Sequence, residues 1–169
     1  MTEPSVPPAA TAPPAATEPT ELTLGCTCSR LRMLARGMSR LYDQHLATVG
    51  LKTTQYALLA KVARGALPVA ELAARAGAER TTLTRNLKPL IEARWVVLVA
   101  GADSRQRIVT LTDAGRAKLA QAYPAWRSAQ SEIERTLGAD SVRALHTQLD
   151  ASLACLTPLI EELDHAHSH

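Results

Sequence analysis

A chain of 169 residues, 46% of them hydrophobic, holds one domain with a substantial core but not two independent ones. Three cysteines are too few and too odd in number for a disulfide framework, and no apolar run nears the roughly 18 residues of a membrane span. The net charge of +3 hides a division, because residues 30–118 hold sixteen Lys/Arg against six Asp/Glu while residues 119–169 hold three against seven.

A basic middle between acidic ends suits a polyanion, although a solvated helical surface can cluster charge in the same way. Aromatic content is 3% with no Phe, so aliphatic side chains on long periodic segments must fill the core.

Residues 1–21 contain six of the ten prolines and are expected as a disordered Pro/Ala-rich tail. They lack the basic and apolar regions of a secretory signal, and the chain reads as cytoplasmic with reduced thiols. From about Leu24 the pattern turns helical, with Leu31, Leu34, Met38 and Leu41 at steps of three and four, ending near Gly50. Thr53 or Thr54 can cap a second helix through Tyr56, Leu58, Leu59 and Val62, stopped by Gly65. Pro68 suits a first helical turn, and Val69 to Ala76 is a short helix ended by Gly77. Another helix runs from Arg80 to about Ala93.

The period then changes. Trp95 to Ala100 and Arg105 to Leu111 favour β-structure around the turn Gly101-Ala-Asp-Ser104, which predicts a hairpin. Thr112 caps a long helix from Asp113 to about Leu137, and a last helix after Gly138 carries Val142, Leu145, Leu149, Leu153, Leu156, Ile160 and Leu163 at heptad-like steps. Pro124 and Pro158 are expected to kink or interrupt these two helices. Such generous apolar stripes need a partner, so residues 22–50 and 113–163 are read as a homodimerisation region. Residues 51–112 are read as the DNA-binding part and residues 164–169, with His165, His167 and His169, as a flexible tail.

A short helix, a tight turn at Gly77 and a second helix form a helix-turn-helix, and the hairpin behind it makes a wing. The fold class is mainly α with a small β-wing: a winged helix-turn-helix joined to a helical dimerisation domain built from the end helices. The second helix would enter the major groove. Leu83, Leu87 and Leu90 give its buried face, leaving Thr81, Thr82, Arg85, Asn86 and Lys88 for DNA. Arg and Asn carry the paired groups that read G or A, while hydroxyls suit phosphate. At the wing tip Arg105 and Arg107 can reach a narrow minor groove, with Asp103 orienting a neighbour. Helix-turn-helix shapes also arise for packing alone.

Residues 24–163 resemble the multiple antibiotic resistance regulator (MarR) family of winged-helix transcription regulators. The resemblance rests on Val69-Ala-Glu-Leu-Ala73, Arg80-Thr-Thr-Leu-Thr-Arg-Asn-Leu-Lys-Pro-Leu90, Asp103-Ser-Arg-Gln-Arg107 and Leu111-Thr-Asp-Ala-Gly115. It implies a dimer whose first and last helices interlock, bound to pseudo-palindromic promoter DNA. It also implies a repressor released by an aromatic ligand, a metal or thiol oxidation. Glu79 stands where the family often has Asp.

Three signals remain open. Cys26 and Cys28 open the first helix, where its dipole with Arg30 and Arg32 favours thiolate. Cys28 precedes Tyr42 by 14 positions, which resembles the organic hydroperoxide regulators, where a tyrosine hydroxyl bonds the reactive thiol. The second tyrosine of that branch would fall at Thr53 and is missing here, and Cys28 as a small core residue is the competing reading. Cys26, Cys28 and Cys155 can hold a soft metal, if the segments meet across a dimer. The resemblance also places an organic-ligand pocket near Tyr42, His45 and Tyr56, each of which also fits ordinary packing.

No cofactor is implied. The chain has no phosphate loop, nucleophile elbow or metalloprotease helix, so an enzyme is not expected. A dimeric helical adaptor that binds protein rather than DNA is the alternative, and the basic wing argues against it.

Overall fold

A computed structural model describes residues 25–103 and 106–166. Its elements are α1 (Thr27–Ala47), α2 (Thr53–Val62), β1 (Leu67–Pro68), α3 (Val69–Ala76), α4 (Arg80–Glu92), β2 (Val96–Ala100), β3 (Arg107–Leu111), α5 (Asp113–Leu137) and α6 (Ala139–Ala166). The expected tail at 1–21, the wing residue Arg105 and the last histidines His167 and His169 lie outside the described residues. Residues 164–166, expected in a flexible tail, continue α6 instead. Both α5 and α6 run on past Pro124 and Pro158, so neither proline interrupts its helix.

The chain divides into two compact units at Met38 and Ser39. The described part of the first is the amino half of α1, in which Leu31, Met33 and Leu34 are exposed.

The second unit holds the core. Leu46, Leu59, Leu72, Leu83, Leu90, Val96 and Val109 are its largest fully buried side chains. α3 ends where Gly77 turns left-handed at φ 58°, a conformation glycine adopts without penalty. α4 then presents Leu83, Leu87 and Leu90 to the core, as its periodicity requires. α2 is capped differently from expectation. Lys52 is its N-cap, and the carboxylate of Asp43, on α1, accepts from the Thr53 amide at 2.6 Å. A carboxylate at a helix start satisfies an orphan donor and complements the helix dipole.

The wing is a three-stranded antiparallel sheet in the order β1-β3-β2, rather than a two-stranded hairpin. Leu67 pairs with Val109 and Pro68 with Ile108, while β2 pairs with β3 from Val96↔Leu111 to Ala100↔Arg107. β1 is an edge, the place where a proline without an N–H is tolerated in a sheet.

Thr112 fastens the sheet to α5. Its hydroxyl accepts from the Gly115 amide at 3.0 Å and donates to the Arg94 carbonyl at 2.7 Å, and its amide donates to the Trp95 carbonyl at 3.1 Å. Gly115 packs directly on that junction, because a Cβ there would lie 2.0 Å from the Trp95 carbonyl oxygen. Lys118 adds a second fastening, with Nζ 2.5 Å from the Val49 carbonyl oxygen and 5.0 Å from the Trp95 ring centroid.

Candidate nucleic-acid interface and adjoining cavities

α4 divides its side chains among three directions. With Leu83 and Leu87 inward, Thr81, Arg85 and Lys88 are exposed. Thr82 and Asn86 are half-buried and line a cavity of about 280 Å³ with Thr54, Ala57 and Lys61 of α2. They occupy the flank facing α2 rather than the open face that the sequence assigns them. On the other flank stand two residues that the sequence reading omits, Arg80 and Thr84. Both line a cleft of about 310 Å³ with Val69, Leu98, Gln106 and Arg107. The available signal was spacing: Arg80, Thr84 and Lys88 follow one another at four-residue steps and so share a helix face.

Among the described residues Arg80, Arg85 and Arg107 form no ion pair, whereas Lys88 lies 3.9 Å from Glu92. Arg80 and Arg107, which share the cleft wall, create a positive field there that draws an anion. No side chain caps α4, whose N-cap is Glu79, and its first turn holds no acidic residue. The wing tip closes through its backbone, as the Gln106 amide donates to the Asp103 carbonyl at 2.8 Å and Gly101 donates back to Gln106 at 2.9 Å.

Behind this surface lies a larger cavity of about 480 Å³ walled by Tyr42, Tyr56, Tyr123 and Trp126, with Lys61 and Arg64 at its edge. Tyr56 and Trp126 stack with centroids 5.8 Å apart and planes 13° apart, a geometry suited to a flat aromatic partner. Burial, and secondarily the Glu134 charge, push the Tyr42 phenol above its ordinary range. Burial raises Tyr56 as well, followed by the influence of Tyr123 and Tyr42. The Tyr42 hydroxyl donates to Gln130 Oε1, and Gln130 donates onward to Glu134 at 3.0 Å. The Gln130 hydrogen bond, ahead of the Arg127 charge, holds the half-buried Glu134 carboxyl below its usual value. His45, expected at this cavity, is absent from its wall and lies with Nε2 3.0 Å from Glu132 Oε2.

Cys26, Cys28 and Cys155 are all exposed, so Cys28 is not a core residue of this chain. Among the described residues no group of three or more His, Cys, Asp or Glu side chains is placed to hold a metal. No helix among them is long and apolar enough to cross a membrane.

A helix-turn-helix followed at once by a small antiparallel wing, with long helices before and after, defines a winged-helix transcription regulator. Comparison with known proteins narrows the class. The MarR family model matches residues 49–107. The chain is similar to the M. tuberculosis transcriptional regulator MosR in complex with DNA, at 39% identity over 77% of this chain and 98% of that one, with a TM-score of 0.67. A mutant of E. coli MarR complexed with operator DNA matches at 25% identity over 73% of this chain and 90% of that one, TM-score 0.66. The transcriptional repressor CouR, bound to a 23-mer DNA duplex, shares the fold at 24% identity over 83% of this chain and 99% of that one, TM-score 0.70. No curated protein sequence matches. The chain belongs to the MarR family of transcriptional regulators.

Proposed function

We propose that this protein is a homodimeric, DNA-binding regulator that represses a nearby promoter and is released by a small aromatic ligand. The observation that carries the reading is the face of α4 and the wing, where Thr81, Arg85 and Arg107 stand exposed and the two guanidiniums form no ion pair among the described residues. α4 would read the major groove through Arg85 and the wing would reach the minor groove through Arg105, with Asp103 orienting it and Arg107 behind it at the start of β3. The DNA-bound state of MosR supports this assignment. Leu153, Leu156, Leu159, Ile160 and Leu163 are exposed along α6, and burial against a second copy would remove this row from water. Such a dimer presents two α4 helices to a pseudo-palindromic operator, and its place of action is the cytoplasm.

The aromatic cavity supplies the release. Four aromatic walls and two cations at the edge fit a flat organic anion. Ala57 and Lys61 of α2 line both this cavity and the smaller one bounded by Thr82 and Asn86 of α4. A ligand that displaces α2 therefore acts directly on the reading helix. A coupling of about 1–3 kcal/mol, typical of such regulators, weakens DNA binding some 5- to 150-fold.

A second signal has its own observation. Cys26 and Cys28 are exposed, two positions apart, at the start of α1, where an oxidant reaches both. The Tyr42 hydroxyl, which the hydroperoxide pattern would pair with Cys28, donates to Gln130 instead.

Fluorescence anisotropy of the protein with its own upstream DNA tests the reading. Tight, salt-sensitive binding by a dimer is expected, and binding that ignores salt would refute a DNA-binding role. Addition of benzoate-class ligands, and separately of organic peroxide, then shows which signal releases the duplex.

A further inference from the structure

The cleft between α4 and the wing is distinct from both cavities along α2. Its wall combines two guanidiniums, Arg80 from the first turn of α4 and Arg107 from β3, with an apolar floor of Pro68, Val69 and Leu98. Leu98 is 42% exposed and gives the cleft, with Pro68 and Val69, a hydrocarbon surface open to solvent. Thr84 also faces the cleft, but its hydroxyl donates to the Arg80 carbonyl oxygen at 2.8 Å, so its one proton is committed. The site therefore offers two positive charges over hydrocarbon, with the Gln106 amide as its remaining neutral donor.

We propose that this cleft seats one sugar–phosphate unit of the DNA backbone, with the phosphate between Arg80 and Arg107 and the deoxyribose carbons on Leu98, Pro68 and Val69. The assignment rests on the DNA-binding role proposed above. A helix in the major groove and a wing in the neighbouring minor groove are separated by one backbone strand, and that strand crosses the space between them. Arg80 then fixes the register of α4 on the duplex without reading sequence, as phosphate contacts do. Arg85, on the open face, is left to read bases.

The test compares wild-type protein, Arg80→Gln and Arg80→Lys by anisotropy across a salt series. Two duplexes of equal length are used, the chain's own upstream DNA and a scrambled sequence. Arg80→Gln is expected to weaken binding to both by the same factor, on the order of tenfold per cleft. It should flatten the slope of log K against log salt by roughly 0.9 for each arginine replaced. Arg80→Lys keeps a point charge and should restore most of the slope. Arg80 is exposed at the helix start, and circular dichroism confirms folding of each variant.

A loss confined to the upstream duplex with an unchanged slope would make Arg80 a base reader and overturn the proposal. An Arg80→Gln protein that binds both duplexes like wild type overturns it too. Wild-type protein that binds neither duplex overturns the regulator reading first, so the two failures are distinguishable.

Discussion

Replacing Gly115 by Ala sets two effects of opposite sign against each other. In an ordinary helix interior the change is favourable by about 1 kcal/mol, because alanine loses less backbone entropy. At Gly115 the added Cβ would lie 2.0 Å from the Trp95 carbonyl oxygen, 2.9 Å from its carbon and 2.8 Å from Leu111 Cδ1. The carbonyl cannot easily withdraw, since it accepts from the amide of Thr112 at 3.1 Å. Forced overpacking costs typically 1–3 kcal/mol and more when backbone must move, so sterics win. We expect a net loss of about 2 kcal/mol, or roughly 4–8 °C in melting temperature for a chain of this length, measured calorimetrically at fixed protein concentration. Because Trp95 directly precedes β2, the shift should reach the wing and weaken DNA binding as well. Gly37→Ala is the control: nothing lies within 4 Å of a Cβ there, and the same change should stabilise α1 by about 0.5–1 kcal/mol. A Gly115→Ala protein as stable as wild type would refute the close packing of α5 on the wing junction.

Arg85→Ala should cost about 1–3 kcal/mol on the preferred duplex and relax selectivity at one base-pair position, read by competition with single-substituted duplexes. Leu156→Glu should shift sedimentation from dimer to monomer and abolish the concentration dependence of melting; an unchanged dimer would place the interface elsewhere. Tyr42 has a folded-state pKa raised above its ordinary 10.0, so its contribution is present below pH 10 and lost as pH rises through the raised value. The stability advantage of wild type over Tyr42→Phe should thus hold steady to about pH 10 and narrow beyond it, as thermal melts between pH 8 and 11 would show. Benzoate-class ligands should quench the emission of Trp126, and Trp126→Phe should remove that response while Trp95 still emits; a quench retained in the variant would place the ligand elsewhere.

Several features were legible in sequence because they are local. The bounds of α5, the Thr112 cap and the left-handed turn at Gly77 follow from chemistry within three or four residues. The buried leucines of α4 follow from helical period alone, and the β-favouring runs on either side of Gly101 predicted the β2–β3 pairing. The family too was legible, since its motifs are contiguous segments. Periodicity finds the side of a helix that faces the core, but it does not say which neighbour covers each flank. The period of α4 therefore does not show that Thr82 and Asn86 face α2, nor that Arg80 and Thr84 stand opposite the wing. β1 is two residues long and gains its identity only by pairing with β3. The link from Tyr42 to Gln130 and that from His45 to Glu132 join residues 88 and 87 positions apart, and Asp43 caps a helix other than its own. Such contacts depend on how helices cross, which is set by the packing of the whole core and not by the preferences of any one segment.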